Sequence, residues 1–397
     1  MEKAQTLDWE FTTVIKAAAG CRRDIPKYFA NHGCKRIALI TDKGLINAGV
    51  VDRVLEAFGE GAVKIIGTFD QVRQDNDTRD INDCAHWYKS LNADGLLAVG
   101  GGSVLDTAKC VKVMLGMGVD DINQLVDEHG VIYYTRPEAK PLDIMHISIP
   151  TTAGTGAEVS QGAALYDEEN QRKIVMFHQF MNSDFAFLDP ELTVSLPPKL
   201  TAEPAFDALS HAIESFFSTS SNSIADAFAL RSARLIMDNL PIAVKEPNNL
   251  DVRMNLQTAS SMSCIAVSSA LSATPIHNLA DAVGPHFRIA HGLANAVYMP
   301  IVMRHLRSHY LPRIRTFAEA LGLATHSKQD TEIFDEVLSQ IVALQHTCNI
   351  PTTLPIKVES NNISELRSLV KEDPAGMLFP LSDEVIDKCL KESLSII

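Results

Sequence analysis

Basic charge is scarce in this chain. Lys and Arg total 35 against 49 Asp and Glu, a formal net charge of −14. No basic patch is present to neutralise a phosphate backbone, which excludes nucleic acid as a partner. Paired cysteines are missing too. Cys21, Cys34, Cys84, Cys110, Cys264, Cys348 and Cys389 are odd in number, scattered and without any C-x-x-C pair. They read as free thiols of a reducing compartment, neither a disulfide framework nor a thiolate zinc site. No uncharged apolar run reaches the roughly 18 residues of a membrane span. The Met1–Gln5 start carries no basic-then-apolar leader, so the expectation is a soluble cytoplasmic protein with no membrane partner. Repeats, low-complexity tracts and long linkers are also absent, and 397 residues exceed the usual single domain, so two domains are expected.

The hydrophobic pattern changes near residue 190. Before it, apolar runs at 36–41, 63–66, 95–99 and 144–149 alternate with helical stretches, the signature of strands buried on both faces of a mainly parallel sheet. After Asp189-Pro190 long helical patterns dominate, as at 223–237 and 331–346. The division expected is an α/β domain over 1–190 and a helical domain over 191–397, with a ligand in the cleft between them.

Asp207 and His211 lie in an Ala- and Leu-rich stretch, 201–218, without Gly or any Pro after Pro204. A helix there puts residues four apart on one face, so the pair can grip one ion. His277 and His291 follow, separated by Gly284-Pro285, which should break a continuous helix and deliver the two imidazoles from separate elements. Each residue alone reads first as a helix cap or an ordinary core or surface group. Together they amount to a carboxylate and three imidazoles, a full set of ligands for a divalent metal.

A second signal is Gly100-Gly101-Gly102-Ser103, after the apolar run 95–99 and before a helix containing Asp106, Ala108 and Lys109. Glycines let backbone N–H groups approach a phosphate, and the helix N-terminus adds its positive end. The loop is not the G-x-G-x-x-G fingerprint and also reads as plain turn chemistry. The stretch Pro150-Thr151-Thr152-Ala153-Gly154-Thr155-Gly156 ends another strand at the carboxyl edge where open α/β sheets bind ligands. Two such loops can bracket a dinucleotide. Asp42, which ends the run 36–41, is either a surface turn residue or a carboxylate for ribose hydroxyls that repels a 2′-phosphate, favouring NAD(H) over NADP(H).

These motifs, with Asp189-Pro190-Glu191-Leu192-Thr193, Asp207-Ala208-Leu209-Ser210-His211-Ala212 and His291-Gly292 followed by Ala294-Asn295-Ala296, closely resemble the iron-containing, group III alcohol dehydrogenases over residues 10–390. The resemblance implies an α/β N-terminal dinucleotide-binding domain plus an all-α C-terminal metal-binding and substrate domain, in the dehydroquinate synthase-like architecture. A homodimer is implied as well. By the same resemblance Asp207, His211, His277 and His291 correspond to the metal ligands. Asp42, Asn76, Gly101, Gly102, Ser103, Thr151, Thr152, Thr155 and Lys173 correspond to cofactor contacts. Nitrogen and oxygen donors suit Fe²⁺ and are compatible with Zn²⁺, and the family points to iron. The expected reaction is hydride transfer between NAD(H) and a small alcohol or aldehyde. The rival readings are a dehydroquinate-synthase-like lyase and a non-catalytic metal- or nucleotide-binding protein.

Three departures bear on the substrate. His277-Asn278-Leu279-Ala280-Asp281 places a carboxylate where the family has a second, non-ligand histidine, often assigned to proton relay. Asp281 is thus open to several roles: base, partner of the substrate hydroxyl, orienter of His277, metal ligand or structural residue. Asp281 and His291 are the catalytic candidates. Asp75-Asn76-Asp77-Thr78 stands where the family has Pro-Asn-Pro-Thr, adding acids near the cofactor. Pro285-His286-Phe287-Arg288 brings positive charge close to His291, suited either to an anionic group on a short aldehyde (carboxylate, sulfonate or phosphonate) or to a surface salt bridge.

Overall fold

Aliphatic runs bury both faces of a sheet only when helices cover them, and the first half of the chain builds such a sheet. The computed structural model describes residues 9–74, 76–127, 130–167, 169 and 172–396; Asp75 and the Met1–Gln5 start lie outside the described residues. The strands of this half are β1 (Val14–Ala17), β2 (Arg36–Ile40), β3 (Lys64–Phe69), β4 (Gly95–Gly100), β5 (Val131–Tyr134), β6 (Met145–Pro150), β7 (Gly162–Asp167), β8 (Arg172–His178) and β9 (Phe185–Leu188), and a short parallel pair, β10 (Lys357–Val358) and β11 (Ser395–Ile396), lies in the second half. Six of them form one sheet in the order β1-β9-β6-β4-β2-β3, with every pairing parallel. β5, β8 and β7 make a small mixed sheet. The four apolar runs of the sequence are β2, β3, β4 and β6.

Helices α1 (Ile25–Asn31), α2 (Lys43–Asn47), α3 (Val50–Leu55), α4 (Thr78–Leu91) and α5 (Gly102–Met117) complete this part. Alternation along the central strands divides their side chains between two cores. Ala38, Ile40, Leu96 and Ala98 pack with residues of α4 and α5, and Ile37, Leu39, Leu97 and Val99 with residues of α1 and α3. Two buried ion pairs pin the loops. Asp189 is fully buried and accepts from the backbone N–H of Gly20 and Arg22 and from the Arg22 guanidinium at 2.7 Å. Lys109, also fully buried, pairs with Asp106 at 2.8 Å and donates to the carbonyl of Gly162, tying α5 to β7.

The remaining helices are α6 (Pro198–Phe216), α7 (Ser223–Lys245), α8 (Leu250–Ser269), α9 (Pro275–His286), α10 (His291–His305), α11 (Arg307–Tyr310), α12 (Ile314–Ala320), α13 (Asp330–Thr347), α14 (Ile363–Glu372) and α15 (Asp383–Ser393). The chain divides into two compact units: Phe11–Thr152 with Gly156–Ser195, and Leu196 onward with residues 9–10 and Ala153–Thr155. Within the helical unit α10 buries every residue from Leu293 to Met303, as a helix apolar on all sides must. No helix among the described residues is long and apolar enough to cross a membrane.

One sequence expectation needs correction. His277 and His291 do come from separate helices, but Gly284-Pro285 sits inside the last turn of α9, which runs to His286, and the break follows it. A proline there forfeits only one hydrogen bond back toward Asp281. The chain turns just afterwards, where Ile289 N–H bonds the carbonyl of Gly284 and Arg288 takes a left-handed φ of 55°, closing the helix in the six-to-one pattern that usually carries glycine.

Candidate metal centre and nucleotide cavity

Asp207 and His211 are one turn apart on α6, His277 is in the first turn of α9, and His291 opens α10. All three imidazoles turn Nε2 toward one oxygen. Asp207 Oδ1 lies 3.8 Å from His211 Nε2, 3.3 Å from His277 Nε2 and 3.2 Å from His291 Nε2. The donor atoms of Asp207, His211 and His277 fall within 4.8 Å of one another. The structure therefore brings together all four residues singled out in the sequence, from three helices of one unit.

Two residues not singled out complete the group. Glu214, on the same face of α6 one turn beyond His211, accepts from His277 Nδ1 and from the backbone N–H of Ile276 and His277. It thus caps α9 and orients its histidine together. The i, i+4, i+7 spacing of Asp207, His211 and Glu214 carried that signal. Asn295, one turn after His291, donates from Nδ2 to Asp207 Oδ1 at 2.9 Å. Asp281 does not orient His277, whose Nδ1 belongs to Glu214; its Oδ1 lies 3.1 Å from His291 Nδ1. His211 Nδ1 is buried with no hydrogen-bond partner among the described residues.

The charge balance shows that these residues fit a cation. Asp207 and Glu214 are almost wholly buried and the Asp281 side chain is 10% exposed. Three carboxylates around three neutral imidazoles would be costly without positive charge. Burial lowers the affinity of His277 for its proton, but Glu214 and Asp207 outweigh it and raise its pKa to about 10. Desolvation also opposes the charge of His291, but Asp207 and Asp281 beside it outweigh that and raise it to about 9. Burial dominates at His211, pulling it down to about 4 against the attraction of Asp207. Burial also works against ionisation of Asp207, but His211 and His291 beside it, with hydrogen bonds from His277 and His291, hold it well below the usual carboxylate range. Protons thus supply the missing charge in the metal-free chain, and a divalent ion on the Nε2 and Oδ1 face would replace them.

Glycines set the helix spacing behind this site. A Cβ on Gly292 would strike the backbone carbonyl of Glu203, and one on Gly154 would lie 2.6 Å from Pro204 Cβ and 2.8 Å from the Pro204 carbonyl oxygen. Both segments therefore rest directly on the backbone of α6 just before Asp207.

The α/β unit offers a second site. The chain leaves β2 toward β3 on one side and β4 toward β6 on the other, which makes the crevice at the ends of these neighbours a topological switch point. A cavity of about 740 Å³ opens there, lined among others by Asp42, Asp70, Arg73, Gly101, Gly102 and Ser103. Gly101 precedes α5 with no side-chain cap, so the first N–H groups of α5 remain available to an anion. Asp42 stands between β2 and α2. It lines the cavity, and its Oδ1 caps α2 by accepting from Leu45 N–H at 2.9 Å. Thr151 joins the glycine loop through its N–H to the carbonyl of Gly100, and the Thr152 hydroxyl oxygen lies 3.4 Å from a Cβ built on Gly101.

Other expected cofactor contacts lie elsewhere. Asn76 and Lys173 both meet Tyr166 of the small sheet, through the Asn76 carbonyl and the β7/β8 register, and do not line the cavity. The buried Nδ2 of Asn76 has no hydrogen-bond partner among the described residues. Thr155 groups with the helical unit.

Comparison with known proteins gives the class. Residues 12–190 match the model of the iron-containing alcohol dehydrogenases, and 201–376 that of the family's C-terminal domain. The choline dehydrogenase of Bacillus subtilis is 31% identical over 378 residues, covering 94% of this chain and 90% of that protein. The structure of a 1,3-propanediol oxidoreductase superposes with a TM-score of 0.89 at 25% identity, covering 98% of this chain and 100% of that one. The fold is also shared with sulfoacetaldehyde reductase from Bifidobacterium kashiwanohense, solved with NAD⁺, at a TM-score of 0.84 and 24% identity over 99% of this chain and 100% of that one. The chain belongs to the iron-containing alcohol dehydrogenase family. It is an oxidoreductase of alcohol/aldehyde pairs rather than a lyase, and iron is the family's metal.

Gly292→Ala should force α10 away from α6 and carry His291 with it. A backbone clash of this kind costs roughly 1–3 kcal/mol. The expected outcome is a lower melting temperature together with weaker Fe²⁺ retention in chelator competition; unchanged metal retention would show that the α6–α10 spacing does not control the site.

Proposed function

We propose that the chain transfers hydride between NAD(H) and a short polar or anionic aldehyde/alcohol pair, with Asp207, His211, His277 and His291 holding Fe²⁺. The observation that carries this reading is the convergence of three Nε2 atoms on Asp207 Oδ1. Nitrogen and oxygen donors without thiolate suit Fe²⁺ and accept Zn²⁺. When bound, the ion supplies Lewis acidity toward an alcohol or carbonyl oxygen.

The chain's own residues do the remaining work. Asp207 and the three imidazoles hold the cation, with Glu214 fixing His277. The glycine loop and the start of α5 offer N–H groups to a pyrophosphate. Asp42 offers its remaining oxygen to ribose hydroxyls, while Asp70, Asp80 and Asp83 line the same cavity and add to the repulsion of a 2′-phosphate. Thr151, Thr152, Thr155, Asn76 and Lys173 remain candidate cofactor contacts, and Asp281 and His291 candidate catalytic groups.

Charge guides the substrate reading. The relatives' names include a quaternary ammonium alcohol and a sulfonated aldehyde, so the residues of this chain must discriminate. Arg288 is exposed, three residues before His291, and has no ion-pair partner among the described residues; His286 is exposed beside it. A guanidinium left unpaired suits an anionic group on the substrate.

Removal of iron by chelation under anaerobic conditions should abolish NADH-dependent aldehyde reduction, and Fe²⁺ should restore it. His277→Ala should weaken metal binding by more than the ~10–100-fold loss typical of an outer partner. Full turnover without metal would end the Lewis-acid reading.

For the cofactor, Asp42→Gly is the informative change, because glycine keeps most of the cap at α2, within a few tenths of a kcal/mol. The kcat/KM ratio for NADPH over NADH should rise about tenfold or more, as removal of one close like charge implies. Equal use of both cofactors by the unaltered enzyme would remove the basis for the assignment.

Arg288→Ala tests the substrate class. KM should rise roughly tenfold for anionic aldehydes and stay unchanged for neutral ones of the same length. Equal effects on both would eliminate the anion subsite.

A further inference from the structure

Two of the three histidines facing Asp207 are held from behind by a carboxylate, and the two arrangements differ in origin. Glu214, on α6, holds His277 Nδ1 and also caps the helix to which His277 belongs. Asp281 sits one turn after His277 on α9, yet its oxygen lies 3.1 Å from Nδ1 of His291 on α10. The ligand it touches is the most exposed of the three. His291 is the first residue of α10, directly after the 287–290 turn, and its side chain is 35% exposed against 11% for His277 and 14% for His211.

We propose that Asp281 is the positioning residue of His291: it accepts the Nδ1–H, fixes the ring with Nε2 toward Asp207, and so sets how tightly the fourth ligand holds the metal. Helix geometry makes the device economical. One helix, α9, presents a ligand at His277 and, a turn later, the anchor of the ligand on its neighbour. A histidine whose Nδ1–H is bound to a carboxylate has a fixed tautomer and a more basic opposite nitrogen, and loss of such a partner typically weakens metal binding about 10–100-fold. Asp281 acts through His291 and contributes no ligand atom of its own.

This inference rests on the metal centre proposed above, and one set of measurements separates the two. Fe²⁺ and Zn²⁺ dissociation constants are measured by chelator competition on the full chain and on Asp281→Asn, Asp281→Ala and Asp281→Leu. The imidazole N–H protons of the Zn²⁺-loaded proteins are followed by NMR. Asparagine keeps an oxygen for the Nδ1–H and should stay within about threefold of the unaltered chain, with the downfield His291 resonance retained. Alanine and leucine should bind about 10–100-fold more weakly and lose that resonance. Affinities within threefold in alanine or leucine would overturn the proposal, as would an asparagine variant as weak as leucine. If the apolar variants do not fold, asparagine decides alone: near-normal affinity with the resonance kept upholds the anchor, and a tenfold loss overturns it. Failure of the unaltered chain to bind either ion would instead overturn the metal-centre reading.

Discussion

A single buried carboxylate organises the helical unit. Asp207 sits in the middle of α6, almost free of solvent, and an ionised group in such a place is tolerated only when positive charge and hydrogen bonds surround it. His211, His277, His291 and Asn295 provide that surround. The need propagates outward. His277 must be oriented, so Glu214 is buried as well, and Glu214 in turn caps α9. Two neighbouring carboxylates then raise the demand for charge further, which protons meet in the metal-free chain and a divalent cation would meet in the proposed metal centre. Metal affinity, helix capping and burial of acid are thus one linked problem.

Packing answers the geometric side of that problem. α10 is buried all round and α6 nearly so, which places the proposed ligands on elements with little room to shift. Gly292 lets α10 touch the α6 backbone, and Gly154 does the same for the 153–155 stretch at Pro204. Neither glycine is needed for a turn conformation; both are there because a methyl group has no space. The glycine loop of the α/β unit combines two reasons. Gly100 avoids Val104, whose side-chain atoms would overlap any Cβ, whereas Gly101 and Gly102 line the cavity at the switch point.

Arg288 shows a local cost retained beside the site. Its φ of 55° belongs to a helix-ending position that glycine fills most easily. The left-handed turn is what ends α9 and starts α10 three residues later, so it also determines where His291 stands. A large cation kept in that conformation, exposed and unpaired among the described residues, is the feature on which the proposed anion subsite rests.

What the sequence by itself determined is what local geometry determines. Continuous aliphatic runs specified β2, β3, β4 and β6, because strands covered on both faces leave no polar alternation; the glycine loop marked the start of α5; and the four-residue spacing put Asp207 and His211 on one face. β1 escaped notice because it is a short edge strand with exposed Val14 and Ile15, and the small sheet because its strands border turns without a strong period. The helix break was legible only approximately, since a proline in a final turn forfeits little. Only the tertiary structure decided the partners. Same-face spacing pointed Asp281 toward His277, but Glu214 already occupied that imidazole, and the packing of α9 against α10 gave Asp281 to His291. Sequence spacing reports which residues share a face of one helix; which atom on the neighbouring helix each will meet depends on the distance and angle between helices, and those are fixed by contacts such as Gly292 on Glu203 that no single stretch of sequence contains.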